Sequence, residues 1–235
     1  MGKLGGGELG LSSDLDLLFV YESDEGEIVP ASPESPSIGI KEYHVRLASE
    51  VLKTLAARSR EGALYESDVR LRPYGKGGDL SGTLQQYRDY YEKEAALWER
   101  QALTRARWIA GDEELGKLFI GQAAEFVYGQ GLTGEQKAQI AHLRGRIERE
   151  RKGEAIKSGE GGLVDVEFLV QALQLEFGKD TPEIRVPHTL KALDALTAKG
   201  LDPSGNAQKL AENYLFLRDI LNRLQIADGI SIQEL

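Results

Sequence analysis

Between Leu15 and Tyr21 the chain is apolar at every position but Asp16 (Leu15, Leu17, Leu18, Phe19, Val20, Tyr21), which predicts a buried strand. The polar stretch Ser23-Asp24-Glu25-Gly26-Glu27 predicts a turn, and the proline- and serine-rich run from Pro30 to Ser37 predicts an irregular loop. Ile40, Tyr43, Leu47, Val51 and Leu55 then recur at helical spacing, so a long helix leads to a second strand. That strand, Gly62 to Pro73, alternates: Ala63, Tyr65, Ser67, Val69 and Leu71 share one face, and Leu64, Glu66, Asp68, Arg70 and Arg72 share the other. Arg72 to Gly82 reads as a glycine-rich loop with Lys76 in its middle.

Beyond Ser81 the period becomes helical. Helices are expected over Thr83–Lys93, Trp98–Arg107, Glu113–Tyr128, Thr133–Lys152, Leu163–Phe177, Pro187–Lys199 and Asn206–Ala227, divided by glycine and proline signals. Thr133 and Gln136 have the spacing of a capping box, and Pro187 suits a first helical turn because its missing N–H costs nothing there. Leu163, Val166, Val170, Leu173 and Phe177 form one apolar stripe, with Asp165 and Glu167 expected on a solvated or salt-bridged face. The pattern therefore divides into an α/β part, residues 1–109, and an all-helical part, residues 110–235, with antiparallel bundle packing expected from the short connections.

Composition narrows the function. The 235 residues are 41% apolar and 29% charged, ordinary values for a globular chain, and the formal charge of −9 argues against a broad nucleic-acid footprint. There is no cysteine, hence no disulfide framework or thiolate site, and His44, His142 and His188 lack metal-ligand spacing, which makes them surface or packing residues. No run of about twenty apolar residues and no signal-peptide pattern is present, so no membrane association is expected and the cytoplasm is the default location.

The chemistry concentrates at the start. Asp14 and Asp16, two residues apart at the lip of the first strand, point the same way with Cα atoms about 7 Å apart. Two such carboxylates can share metal ions roughly 3.5–4 Å apart and so clamp a phosphoryl group. Asp-x-Asp alone also occurs on many solvated strands. What strengthens it is Gly2-Lys3-Leu4-Gly5-Gly6-Gly7 upstream, whose backbone can approach a triphosphate, with Ser12 and Ser13 as added hydroxyl donors. This order matches neither a Walker loop nor a dinucleotide fingerprint. Asp68 supplies a third carboxylate from the second strand, on the face shared with Arg70 and Arg72, which can meet phosphates bidentately; an edge strand with a charged outer face is the plainer alternative.

The segments 2–10, 12–21, 68–75, 98–107 (Trp-Glu-Arg-Gln-Ala-Leu-Thr-Arg-Ala-Arg) and 161–171 (Gly-Gly-Leu-Val-Asp-Val-Glu-Phe-Leu-Val-Gln) resemble, in order and over nearly the whole chain, the glutamine synthetase adenylyltransferase family. The resemblance implies an α+β fold in which a polymerase β-like nucleotidyltransferase domain precedes an all-α helical bundle. It implies Mg²⁺, with Mn²⁺ as an alternative, held by Asp14, Asp16 and Asp68; ATP as substrate; Gly5, Gly6 and Ser13 as a phosphate cradle; and Lys3, Arg70 and Arg72 as charge neutralisers. Glutamine synthetase is the implied protein substrate and a PII signal protein a further implied partner, in the regulation of nitrogen assimilation.

Leu64-Tyr65-Glu66, residues 99–103 and Leu163-Val164-Asp165-Val166-Glu167 are more similar to the half of that family's enzymes that attaches AMP to tyrosine. The other half removes it by phosphorolysis and has Arg-Glu-Ile-Glu where this chain has Val164 to Glu167. Family members also carry an apolar strand before the Gly-Lys-Leu-Gly-Gly stretch, whereas Met1 opens this chain inside the motif. The expectation is therefore a fragment or a truncated start, and a domain that binds glutamine synthetase or a PII protein without turnover stands as the non-enzymatic alternative.

Overall fold

A computed structural model describes residues 1–11, 13–29, 36–57, 65–151, 155–203 and 205–228. Most of the expected loop at 30–37, the first part of the expected strand at 62–73, and Ser12 fall outside these. The chain begins with a one-turn helix, α1 (Gly2–Gly6), followed by β1 (Leu15–Asp16), β2 (Phe19–Tyr21), β3 (Glu27–Ile28), β4 (Ile38–Gly39), α2 (Ile40–Ala56), β5 (Ser67–Asp68), β6 (Ser81–Thr83), α3 (Leu84–Lys93) and α4 (Leu97–Leu103). Then come α5 (Glu113–Tyr128), α6 (Gly134–Glu150), α7 (Ala155–Ser158), α8 (Leu163–Phe177), α9 (Thr189–Ala198) and α10 (Ala207–Asp228). The protein is thus mostly helical with small sheets, an α+β arrangement.

The expected strand from Leu15 to Tyr21 is divided. β1 pairs in parallel with β5, Leu15 opposite Ser67 and Asp16 opposite Asp68, while β2 pairs in parallel with β6, Phe19 opposite Ser81 and Tyr21 opposite Thr83. The break at Leu17 and Leu18 reflects a change of partner: the Leu17 N–H still donates to Asp68 O at 2.8 Å, and beyond it the opposing chain has turned away. For the same reason the strand expected to reach Pro73 stops at Asp68. Residues 70–78 form tight turns, with Tyr74 in the left-handed region at φ 60°. A period-two pattern records which side chains are apolar, not where the partner strand ends.

The helices follow their signals closely. α5 and α8 span the expected residues, and Thr133 caps α6 by accepting from the Gln136 N–H while Gln136 Oε1 accepts from the Thr133 N–H at 3.0 Å. Two details differ. Pro187 lies two residues ahead of α9, whose N-cap is His188, and the helix expected to continue to Arg107 ends at Leu103 because residues 104–107 turn back over α1. On α2 the buried position is Ala48, while Tyr43, Leu47 and Leu55 of the predicted apolar stripe are exposed.

Two apolar cores are present among the described residues. One joins Tyr87 and Tyr91 of α3 to Phe119, Ala123 and Val127 of α5, with Ile140 and Leu175. The other gathers Leu163, Val166 and Val170 of α8 with Leu193, Leu196 and Tyr214. Helix α8 contributes to both cores, and α5 packs on α3. The wholly buried hydroxyl-bearing ring of Tyr87 reaches Phe19 O at 3.3 Å and fixes the first core against β2.

Candidate active site

The glycine run forms the turn of α1 rather than an open loop. Its end is set by Gly7 at φ 68°, a conformation that favours glycine. Gly5 and Gly6 are buried, and the Gly5 N–H donates to Met1 O at 2.6 Å. A Cβ on Gly5 would lie 1.8 Å from the Arg105 carbonyl oxygen, and one on Gly6 would lie 3.1 Å from Pro187 O. Close approach of these two segments accounts for both glycines. Arg107 holds the same turn from outside, donating to Gly5 O at 2.8 Å and Leu4 O at 2.7 Å. Gly5→Ala is therefore expected to lower Tm by at least several degrees, since the clash is with backbone that cannot rotate away; thermal unfolding followed by circular dichroism checks it.

From α1 the chain runs through a tight turn to the carboxylates. Ser13 closes that turn, its Oγ accepting from the Gly10 N–H at 2.8 Å and its N–H donating to Gly10 O at 3.2 Å. Asp14 is exposed, Asp16 and Asp68 are half-buried, and the parallel register makes Asp16 and Asp68 direct neighbours across β1 and β5. Partner residues of adjacent parallel strands project to the same side with Cα atoms about 5 Å apart, so the two carboxylates share a face. Burial pushes the Asp16 carboxyl above its usual range, against the pull of the Met1 ammonium and, less strongly, of Arg70, while the like charges of Asp68 and Asp14 add to the rise. A cavity of about 140 Å³ adjoins Asp16, walled by Leu17, Leu18, Arg107, Trp108 and Phe119.

Asp68 is held differently. Arg70 Nε lies 3.0 Å from Asp68 Oδ1 and 2.7 Å from Oδ2, its Nη2 also bonds Oδ2, and the Arg70 N–H donates to Oδ1 at 2.8 Å. These bonds hold the Asp68 carboxyl below its usual range despite partial burial. Among the described residues no group of at least three His, Cys, Asp or Glu side chains is gathered into a metal-binding cluster. Arg72 is buried and braces the following turn, donating to Val69 O at 2.7 Å and Gly78 O at 3.1 Å. Arg70, by contrast, is exposed at the lip.

Lys3 points away from the carboxylates into a buried polar hub that sequence reasoning missed. At its centre is Glu8, whose side chain is fully buried. Glu8 Oε2 accepts from the Thr189 N–H at 3.0 Å and hydroxyl at 2.9 Å and is paired with Arg105; Glu8 Oε1 lies 3.1 Å from the Tyr214 hydroxyl and 3.5 Å from Arg218 Nη1. Glu167 joins it through Lys3, through Tyr214 at 3.1 Å and through Arg105 Nη1 at 3.7 Å. Burial lowers the Lys3 pKa, partly offset by Glu167. The salt-bridged face expected for Asp165 and Glu167 is present, with Arg144 as the partner of Asp165. Glu99, Arg100, Gln101 and Arg105, in the helical segment expected over Trp98–Arg107, are all buried. Arg100 Nε donates to Val127 O at 2.8 Å and Gln101 Nε2 to Gln171 Oε1 at 2.9 Å, so this segment joins the α/β part to α5 and α8. The available signal was Glu8 itself, an isolated charge between glycine and leucine where nothing on the surface calls for one.

Two small parallel strand pairs, one of them carrying facing carboxylates, on a largely helical support define an α+β protein with an acidic candidate site. Residues 1–122 match the profile described as glutamate-ammonia ligase adenylyltransferase, and the chain belongs to that family. Residues 135–235 match a second profile, described as GlnD PII-uridylyltransferase. Among similar proteins, the bifunctional glutamine synthetase adenylyltransferase/adenylyl-removing enzyme of Cutibacterium acnes is 37% identical over 230 residues, 96% of this chain and 23% of that protein. The proteins of the same description from Stenotrophomonas maltophilia and Methylococcus capsulatus are 37% and 36% identical over 96% and 100% of this chain. The chain spans about a quarter of the length of these relatives. No helix among the described residues is long and apolar enough to cross a membrane.

Proposed function

We propose that this chain moves AMP from ATP to a tyrosine of glutamine synthetase, as the adenylylating half of a polymerase β-like nucleotidyltransferase. The observation that carries the reading is the parallel pairing that sets Asp16 opposite Asp68, with Asp14 two residues earlier. The donors are all carboxylate oxygens, and the mutual repulsion registered at Asp16 is what a divalent cation relieves, so the residues fit Mg²⁺, or Mn²⁺ in its place. When bound, such cations neutralise the phosphates and acidify the attacking phenol, whose unperturbed pKa is near 10.

Asp14, Asp16 and Asp68 would hold the cations. Asp68 would also take the phenol proton, and Arg70, exposed at the lip, would meet phosphate oxygens on leaving Asp68. Ser13 and the α1 turn set the approach of the chain to Asp14, while Arg72 keeps the turn at 70–78 in place from inside. Lys3 and Glu8 act at one remove, by fixing α1 on the helical half.

The names of the relatives carry both directions of the chemistry, and Val164-Asp165-Val166-Glu167 favours attachment over removal. Incubating the chain with α-labelled ATP and unmodified glutamine synthetase is expected to label the synthetase. Incubation with adenylylated glutamine synthetase and phosphate is expected to release no ADP. Phosphorolysis without label transfer would reverse the assignment, and neither activity, in a chain that binds glutamine synthetase, would leave the docking reading. A PII protein is proposed as a regulatory partner of the whole enzyme.

A further inference from the structure

The guanidinium of Arg70 occupies the carboxylate that the proposed reaction requires. It engages both Asp68 oxygens through its side chain, and its own N–H adds a third kind of contact to Oδ1. The two side chains differ in freedom: that of Asp68 is 16% exposed and anchored at the end of β5, that of Arg70 is 67% exposed. An exposed arginine can swing out at little cost, while the carboxylate stays. Across the strand pair Asp16 stands opposite Asp68 in register. The acidic residues are thus adjacent in register, yet Asp68 directs its oxygens to Arg70 and no three of them are gathered among the described residues.

We propose that Arg70 is a competing counter-ion: it and a divalent cation exclude one another at Asp68, so that cation binding releases Arg70 to the anionic substrate at the lip. The inference rests on the reading of Asp68 as a metal ligand and goes beyond it, because it makes Arg70 lower cation affinity when no nucleotide is present. Charge neutralisation is then exchanged rather than added, which keeps the acidic strand pair compensated before substrate arrives. A fixed neutraliser of phosphate would have no reason to chelate the carboxylate through both Nε and Nη2. Lys76, whose charge also acts on Asp68 but which makes no hydrogen bond to it, provides an internal comparison.

The test is Mn²⁺ affinity of the whole chain without nucleotide, read by electron paramagnetic resonance of free Mn²⁺, with circular dichroism confirming that each variant is folded. Arg70→Ala is expected to bind Mn²⁺ roughly three- to tenfold more tightly than the unsubstituted chain, the range set by losing one partly exposed competing pair. Arg70→Lys keeps the charge but not the bidentate fork and is expected to tighten binding as well, by less. Lys76→Ala is expected to change it little. Asp68→Asn is expected to weaken binding. If Asp68→Asn weakens Mn²⁺ binding but Arg70→Ala does not tighten it, or Lys76→Ala tightens it equally, the competition is overturned and the metal reading survives. If Asp68→Asn has no effect, both fall.

Discussion

Asp16→Asn is expected to abolish the proposed AMP transfer while making the folded chain more stable. The loss follows from removing one of the carboxylates assigned to the cations, an effect on the order of a thousandfold in kcat for a group that stabilises transferring charge. The gain follows from position. Asp16 is half-buried and faces Asp68 across the strand pair, with Asp14 beside it, and both burial and repulsion push its carboxyl upward. A carboxyl raised on folding contributes stability below its unfolded value of 3.8 and loses that contribution as pH rises through the folded value, so at neutral pH the charged side chain is a burden. Asparagine keeps the shape and removes the charge. The expected result is a rise in Tm, read by calorimetry at neutral pH beside a label-transfer assay. Loss of activity together with a fall in Tm would instead report collapse of the strand pair, and a substantially active Asp16→Asn would end the two-carboxylate assignment.

The second large effect lies at Glu8. Glu8→Ala leaves Arg105 buried without its nearest carboxylate and removes the acceptor of the Thr189 N–H at the start of α9. Breaking a buried charged network on one side costs about 3–5 kcal/mol, which for this chain is a fall in Tm of roughly 10 °C or more. Adding Arg105→Met to Glu8→Ala should cost less than the sum of the single changes, because the second substitution removes the charge the first had stranded. Additive losses would show that the two side chains do not depend on each other.

The same residue sets a pH dependence. Burial raises the Glu8 carboxyl, but Arg105 and the Thr189 bonds outweigh it and hold the group below its ordinary value of 4.5. Its contribution is therefore complete above about pH 4.5 and is lost as pH falls through the lower folded value. Glu8→Gln should unfold at lower Tm near neutral pH and show a flatter decline in acid, measured as Tm against pH from about 2 to 6. An acid limb as steep as that of the unsubstituted chain would place the titration elsewhere.

The acidic residues themselves needed no structure to be noticed. Asp14 and Asp16 stand at the head of an apolar run, and Asp68 is the carboxylate on the second strand flanked by arginines. Helix limits at α5, α6 and α8 were legible because caps and period are local properties of a few consecutive side chains. Partners were not. Lys3 and Arg72 have the chemistry of phosphate ligands in sequence, and it took the fold to show that one pairs with Glu167 and the other donates to the turn that follows it. Nor did the sequence show that the bare Cα positions of Gly5 and Gly6 admit the backbone of Arg105 and Pro187.

By itself, the sequence determined the order of the elements, the family pattern of motifs and the pair of acidic segments that carry the candidate chemistry, since each depends on residue type at short range. Only the tertiary structure decided that Asp16 stands opposite Asp68, that Arg70 takes hold of Asp68, and that Glu8, 97 residues from Arg105 and 206 from Tyr214, is the point where α1 is fastened to the helical half. Strand register and buried charge pairing depend on which distant surfaces are pressed together, and the local order of side chains holds no record of that.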